Sequence, residues 1–243
     1  MEARPKQLLE AQPRFEALQE GPGASGELFG VHELRKAWGD HVILDGLELV
    51  LDRGTINWVG GANGIGKTTL LRICAGLITH DSGAIDLDGL HPHRQRSRYQ
   101  ARVGFLSAGD RGLYARLTVR QHLELWGKLS LLRRDRFRST LERMIGRLDL
   151  AELADRRMDR LSMGQRQRVR LAMAFLHEPD LVLLDEPLNS LDPHGVEQFL
   201  GCLSDVTSRG GAALLCSPAA SDDVSFDTMH WLQNGRLASR RSG

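Results

Sequence analysis

Between Glu27 and Gly60 the chain reads as a series of short apolar runs, "ELFGVHELRKAW" and then "VILDGLELVLDRGTINWVGG", broken by Gly and Asp at turn positions. Such runs predict short strands, and "TINWVG" is the most strand-like of them, with "GAIDLDG" adding another. After "VGFLSA" the period changes. Over residues 117–150, in "LTVRQHLELWGKLSLL" and "STLERMIGRLDL", apolar residues recur at helical spacing. The chain then returns to an α/β alternation: a helix in "GQRQRVRLAMAFLHE", a fully apolar strand "LVLLDEP", a helix near 194–208 and the strand "AALLC". These elements predict one α/β domain over 27–243 with a helical insert at about 112–163. Residues 1–26, with their Gly/Pro/Ser stretch, read as a mobile extension.

Composition narrows the function classes. The 243 residues suffice for one well-buried α/β domain, or one with a smaller helical insert, and are too few for two full domains of that kind. A net charge of +1 with both signs interspersed gives no global field toward nucleic acid or an anionic bilayer. No apolar run reaches transmembrane length, and the N-terminus lacks the apolar centre of a secretory signal. Work on a membrane would therefore require another chain to span it. Cys74, Cys202 and Cys216 sit among apolar residues without metal-ligand spacing, the pattern of buried thiols in a reducing compartment. The basic segment "HPHRQRSRYQAR" holds a single aromatic, Tyr99, so it reads as a solvated face and not as a nucleic-acid platform.

Candidate chemistry begins at Gly61-Ala62-Asn63-Gly64-Ile65-Gly66-Lys67-Thr68, which has the form G-x-x-x-x-G-K-T and lies between a predicted strand and a predicted helix. That is the context of a phosphate-binding loop. Its glycines let backbone N–H groups wrap phosphates, and the helix N-terminus adds the positive end of its dipole. Lys67 would reach the β- and γ-phosphates, Thr68 would ligate Mg²⁺ and Thr69 would contact the α-phosphate. In "LVLLDEP", Leu181 to Pro187, four apolar residues form a buried strand that delivers two acids at its C-terminal edge: Asp185 to hold Mg²⁺ and Glu186 to orient or deprotonate an attacking water. A solvated turn would look the same; the pairing with the loop makes the case.

Between the two lies "LSMGQRQRVRLAMAFLHEP", which resembles the signature segment of the ATP-binding cassette family, usually Leu-Ser-Gly-Gly-Gln, with Met163 in place of the first glycine. Read without the family, Ser162 is a helix N-cap. The order of phosphate loop, helical insert, signature and acidic strand carries the resemblance over roughly residues 27–240. It implies a P-loop NTPase (RecA-like) core with an antiparallel β subdomain and a helical subdomain. It also implies ATP and Mg²⁺ as cofactors, and a head-to-tail dimer in which Ser162, Met163, Gly164 and Gln165 face the ATP of the other subunit. "KAWGD" places Trp38 where the family stacks an aromatic on adenine, the bland alternative being a core tryptophan beside a turn. Ser190, Leu191 and Asp192 of "NSLDP" match the loop exchanged across the dimer, and "WLQNGRL" matches the last strand and turn of the domain.

Two positions depart from the family. Its glutamine after the strand that follows the phosphate-loop helix is Ala108 here, with Asp110 as a partial substitute. Its histidine after the strand "AALLC" is Pro218, which has neither a side-chain donor nor a backbone N–H. Among the histidines, His177, His194 and His230 read as surface or structural groups. The expectation is an ATP-hydrolysing subunit of a membrane exporter on the cytoplasmic face, docked on separate transmembrane chains and paired with a second cassette, identical or different. Its own site would be slow. The rivals are a non-hydrolysing regulatory subunit and a soluble cassette ATPase acting on ribosomes or nucleic acid.

Overall fold

The computed structural model describes residues 26–109, 112–130 and 134–241. The proposed mobile extension, apart from Gly26, and Asp110 lie outside the described residues. Two long strands open the fold: β1 (Glu27–Trp38) and β2 (His41–Asp52) pair antiparallel, with irregularities in register along the ladder. The sequence pattern predicts short strands here. Gly46 and the residues around Glu33 are absorbed within the ladder as bulges instead of ending it, because the apolar positions on either side still reach one core. β4 (Ser82–Leu87) pairs with the other edge of β1 and completes a three-stranded antiparallel sheet, β2-β1-β4.

The second sheet takes β3 (Ile56–Gly60), β5 (Val103–Leu106), β6 (Leu181–Asp185), β7 (Ala212–Cys216), β8 (Thr228–Gln233) and β9 (Arg236–Arg241) in the order β5-β6-β7-β3-β8-β9. All its pairings are parallel except the β8–β9 hairpin. Every residue of β6 and β7 is buried, and the reason is visible in which core each side chain enters. Leu181, Leu183, Ala212, Leu214 and Cys216 face one core, shared with β1, β2 and α1 (Lys67–Cys74). Val182, Leu184, Ala213 and Leu215 face the other, which is built largely from helices. Both faces of the sheet are covered, so its strands are apolar without alternation.

The helical side comprises α3 (Val119–Leu129), α4 (Arg134–Arg147), α5 (Met163–Phe175) and α6 (Pro193–Thr207); the short α2 (Arg96–Gln100) precedes β5. Thr118 and Ser162 cap α3 and α5 through reciprocal bonds with Gln121 and Gln165. Asp192 caps α6, with Pro193 as its first residue. In the basic segment, Tyr99 is fully buried and its hydroxyl donates to the Cys74 carbonyl, so the one aromatic there belongs to the core. Among the described residues no helix is long and apolar enough to cross a membrane.

Close approach of α5 to the sheet depends on Gly104, where an added Cβ would lie 2.3 Å from the Ala174 carbonyl oxygen. Gly104→Ala is expected to destabilise the domain by about 3 kcal/mol, read from the urea unfolding midpoint. Three histidines set an acid limit. His122, His177 and His230 each use one ring nitrogen, toward Tyr114 N–H, the Val103 carbonyl and the Ser239 hydroxyl respectively, and bury the other without a partner. Burial lowers the pKa of all three, that of His230 from 6.5 to about 4. Unfolded imidazoles accept protons that the folded ones refuse, so stability is complete above the unfolded value and is lost as pH falls toward the folded one. His230 alone is expected to cost about 2 kcal/mol at about pH 5, and His230→Gln should flatten the dependence of the urea midpoint on pH.

Candidate functional site

The parallel register brings the C-terminal ends of β3, β6 and β7 to one edge: Asp185 is level with Cys216, and Cys216 with Val59. From the end of β3 the chain turns through Gly61–Gly66 into α1. Gly66 has φ 120°, and a Cβ there would come within 2.7 Å of Ile43 Cγ2 on β2, so only glycine fits. As the N-cap of α1 it offers no side chain, and the first turn of the helix contains no acidic residue. The first N–H groups of α1 are thus left for a ligand that brings its own negative charge. Lys67 is buried at the start of the helix, and its ammonium donates back to the carbonyls of Gly61 at 2.7 Å and Ala62 at 3.0 Å.

Thr68 joins this loop to the acidic strand. Its hydroxyl donates to Asp185 Oδ2 at 2.7 Å across 117 residues of sequence. Asp185 is buried, whereas Glu186 is half-buried and takes a left-handed backbone conformation (φ 52°). That turn is fixed by the Glu186 N–H on the Cys216 carbonyl (2.8 Å), and the Glu186 carboxylate accepts from Asn189 Nδ2 at 2.6 Å. Hard oxygen donors from Thr68 and Asp185 at one point fit a small divalent cation such as Mg²⁺.

Ala108 lies two residues past Leu106, which pairs with Leu184, and Pro218 two residues past Cys216, which pairs with Asp185. The two departures therefore flank the Asp185–Glu186 edge from the neighbouring strands on both sides. None of His177, His194 and His230 is placed to replace the missing donor. His177 bonds the Val103 carbonyl and His230 the Ser239 hydroxyl, while His194 is exposed on the first turn of α6.

Sequence reasoning missed two supports of this edge. Trp58, on β3, donates its indole N–H to Ser217 Oγ at 2.8 Å and so holds the segment that carries Pro218. On α5, Gln167 donates to the Pro187 carbonyl at 2.7 Å and accepts from Arg170 Nη1 at 2.6 Å, while Arg170 also donates to the Ser107 carbonyl. One buried network thus ties the signature helix to the residues beside Glu186 and beside Ala108. The available signal was the spacing of Gln167 and Arg170, three residues apart and so on one face of the predicted helix.

The signature and exchange-loop residues meet within the chain. Ser162, Met163, Ser190 and Asp192 are exposed, and Gly164, Gln165 and Leu191 half-buried. A Cβ on Gly164 would lie 2.6 Å from the Ser190 carbonyl oxygen, and Ser190 itself has φ 66°. Met163 meets no such limit; its side chain is 67% exposed. The two glycine positions of the motif are therefore unequal, and the departure at Met163 falls on the permissive one. Trp38 ends β1 with 54% of its surface exposed, which excludes a core tryptophan.

A family model described as ABC transporter matches residues 44–189. The chain belongs to the ABC transporter family. It is 36% identical over 203 residues to the daunorubicin resistance ATP-binding protein DrrA3 of Streptomyces coeruleorubidus, covering 83% of this chain and 64% of that one. To the Nod factor export ATP-binding protein I of Ralstonia nicotianae (strain ATCC BAA-1114 / GMI1000) it is 34% identical over 225 residues, 89% of this chain and 68% of that one. A solved structure described as the ATP binding subunit of an ABC transporter superposes with a TM-score of 0.80 at 27% identity, over 88% of this chain and 90% of that one. The chain spans 64% of the daunorubicin resistance relative's length, less than two thirds.

Gly164→Ala should force the exchange loop to move and lower the thermal midpoint, at a cost of about 1–3 kcal/mol, whereas Met163→Ala should stay within about 0.5 kcal/mol of the parent. Differential scanning calorimetry of the two variants checks the difference.

Proposed function

We propose that this chain is the ATP-binding and hydrolysing subunit of an ABC exporter, acting on the cytoplasmic face of a membrane through separate transmembrane subunits. The observation that carries the reading is the Thr68–Asp185 hydrogen bond, which joins the phosphate loop to the acidic strand at the sheet edge where α/β folds bind ligands. Gly61, Ala62, Asn63, Gly64, Ile65 and Gly66 would wrap the phosphates with backbone N–H groups. Lys67 would leave its two carbonyl partners for the β- and γ-phosphates, and Thr69 would meet the α-phosphate. Thr68 and Asp185 would hold Mg²⁺, which supplies charge neutralisation of the phosphates when bound. Trp38 would stack on the base.

Glu186 is the group for the attacking water: it sits one residue beyond the buried Asp185, is half-buried and has a carboxylate that accepts a hydrogen bond from Asn189. Without a polar side chain at Ala108 or a donor at Pro218, the water and the γ-phosphate lose two contacts, each worth about two to three decades in rate when removed singly. Turnover at this chain's own site is accordingly slow. Ser162, Gly164 and Gln165 complete the site of a second cassette in a head-to-tail pair, beside Ser190, Leu191 and Asp192. Export is supported by the printed name of the Nod factor relative.

The experiment is steady-state ATP hydrolysis by the complex that co-purifies with this chain, with Glu186→Gln in this subunit alone. The expected result is a polytopic membrane protein in the complex and a fall in turnover of at least about tenfold. Near-normal turnover would reassign this chain's site to binding and gating, with hydrolysis left to the second cassette. Co-isolation with RNA or ribosomes in place of membrane chains would overturn export.

A further inference from the structure

Lys36 and Trp38 are two residues apart at the end of β1, where the register with β2 is irregular between Lys36 and Ala37. Their surroundings are opposite. Lys36 is only 6% exposed, whereas Trp38 is 54% exposed. A buried lysine needs a partner, and here Asp81, in the turn before β4, supplies it: Lys36 Nζ donates to Asp81 Oδ1 at 2.9 Å. The other carboxylate oxygen accepts from the Ala37 N–H at 2.7 Å, and the Asp81 N–H donates to the Arg35 carbonyl at 2.9 Å. Asp81 thus staples residues 35–37. Its carboxyl is held below the usual range by the Lys36 hydrogen bond first and the Ala37 N–H second. Held this way, the Lys36 ammonium lies over the indole of Trp38, 4.3 Å from the ring centroid.

This pairing sits beside the phosphate loop. Trp38 pairs with His41 at the start of β2, and two residues further on Ile43 packs against Gly66, the N-cap of α1. One indole face carries a cation, and more than half of the Trp38 surface is exposed.

Resting on the reading of this site as an ATP site, we propose that Lys36, clamped by Asp81, is a positioning residue for the nucleobase: it closes one face of Trp38 and fixes the ring so that the purine stacks on the opposite face. An exposed indole would otherwise sample several rotamers and lose that freedom on binding; a cation already seated on one face removes part of the loss beforehand. The two effects act on the base alone. The phosphates are bound by the loop backbone and Lys67, and neither Lys36 nor Asp81 shares a hydrogen bond with those groups.

The test compares binding of ATP and of inorganic tripolyphosphate, both with Mg²⁺, by isothermal titration calorimetry on the full chain. In the parent protein ATP binds more tightly than tripolyphosphate. Lys36→Met and Asp81→Asn each weaken ATP by about three- to tenfold and leave tripolyphosphate unchanged, and Lys36→Arg, whose guanidinium can both pair with Asp81 and stack on indole, restores ATP binding. Trp38→Ala weakens ATP further, and adding Lys36→Met to it changes nothing, because the lysine acts through the ring. Equal weakening of both ligands by Lys36→Met, no effect on ATP, or a full effect in the Trp38→Ala background would each overturn the proposal. Tripolyphosphate binding also reports folding, and if Lys36→Met fails to fold, Asp81→Asn and Lys36→Arg decide. Equal binding of ATP and tripolyphosphate by the parent would sink this inference alone, whereas failure of the parent to bind either would sink the ATP-site reading itself.

Discussion

Burial of β6 on both faces is the constraint from which the rest of this structure follows. Leu181 and Leu183 enter the core shared with the antiparallel sheet, while Val182 and Leu184 enter the helical core. A strand in that position has no solvent side on which to place a polar residue, so its charges appear where it ends, at Asp185 and Glu186. β5 lies on one side of it and β7 on the other, and the parallel register sets which residues of those neighbours stand beside the two acids. A slip of one residue would exchange the two cores and put leucines in the wrong layer. The register of the edge at Asp185 and Glu186 is thereby held by hydrophobic burial and not by the polar groups that stand there.

Polar contacts then act on a frame already fixed. The Thr68–Asp185 bond reaches from the loop to the strand, the Cys216 carbonyl holds the turn at Glu186, and Trp58 steadies the segment after β7. The buried Arg170–Gln167 network does similar work from the helical side, linking α5 to the carbonyls of Ser107 and Pro187. In a low-dielectric interior such bonds strengthen one another and leave few alternative arrangements. They connect the positions where this chain departs from its family, Ala108 and Pro218, to elements that the departures leave intact. In the proposed reading, that edge still binds ATP while its hold on the attacking water is weakened.

Several features are legible in local pattern alone. G-x-x-x-x-G-K-T between a strand and a helix is a local conformational demand: the left-handed glycine φ values and the uncapped start of α1 follow from residues adjacent in sequence. Ser162 and Asp192 announce helix starts for the same reason, each accepting from an N–H three residues on. The apolar runs of β6 and β7 and the change to helical period after residue 117 are likewise short-range signals. Strand length is not such a signal, because bulges let β1 and β2 continue through positions that look like turns.

What the sequence by itself determined, then, is the set of residues on which the proposed chemistry rests: the loop with Lys67 and Thr68, the acids Asp185 and Glu186, the segment around Ser162, and Ala108 and Pro218. These depend on residue identity and short spacing, which the chain carries without folding. Tertiary structure alone decided which distant groups touch. It buried Tyr99 against Cys74, left Trp38 open with Lys36 on one face, set Gly164 against Ser190 while leaving Met163 free, and placed both departures on the two sides of one acidic edge. Each of these is a contact or spatial relation whose existence depends on how two sheets and a layer of helices share their cores. No periodicity within a segment encodes it, because the energy that selects it comes from burying many residues at once.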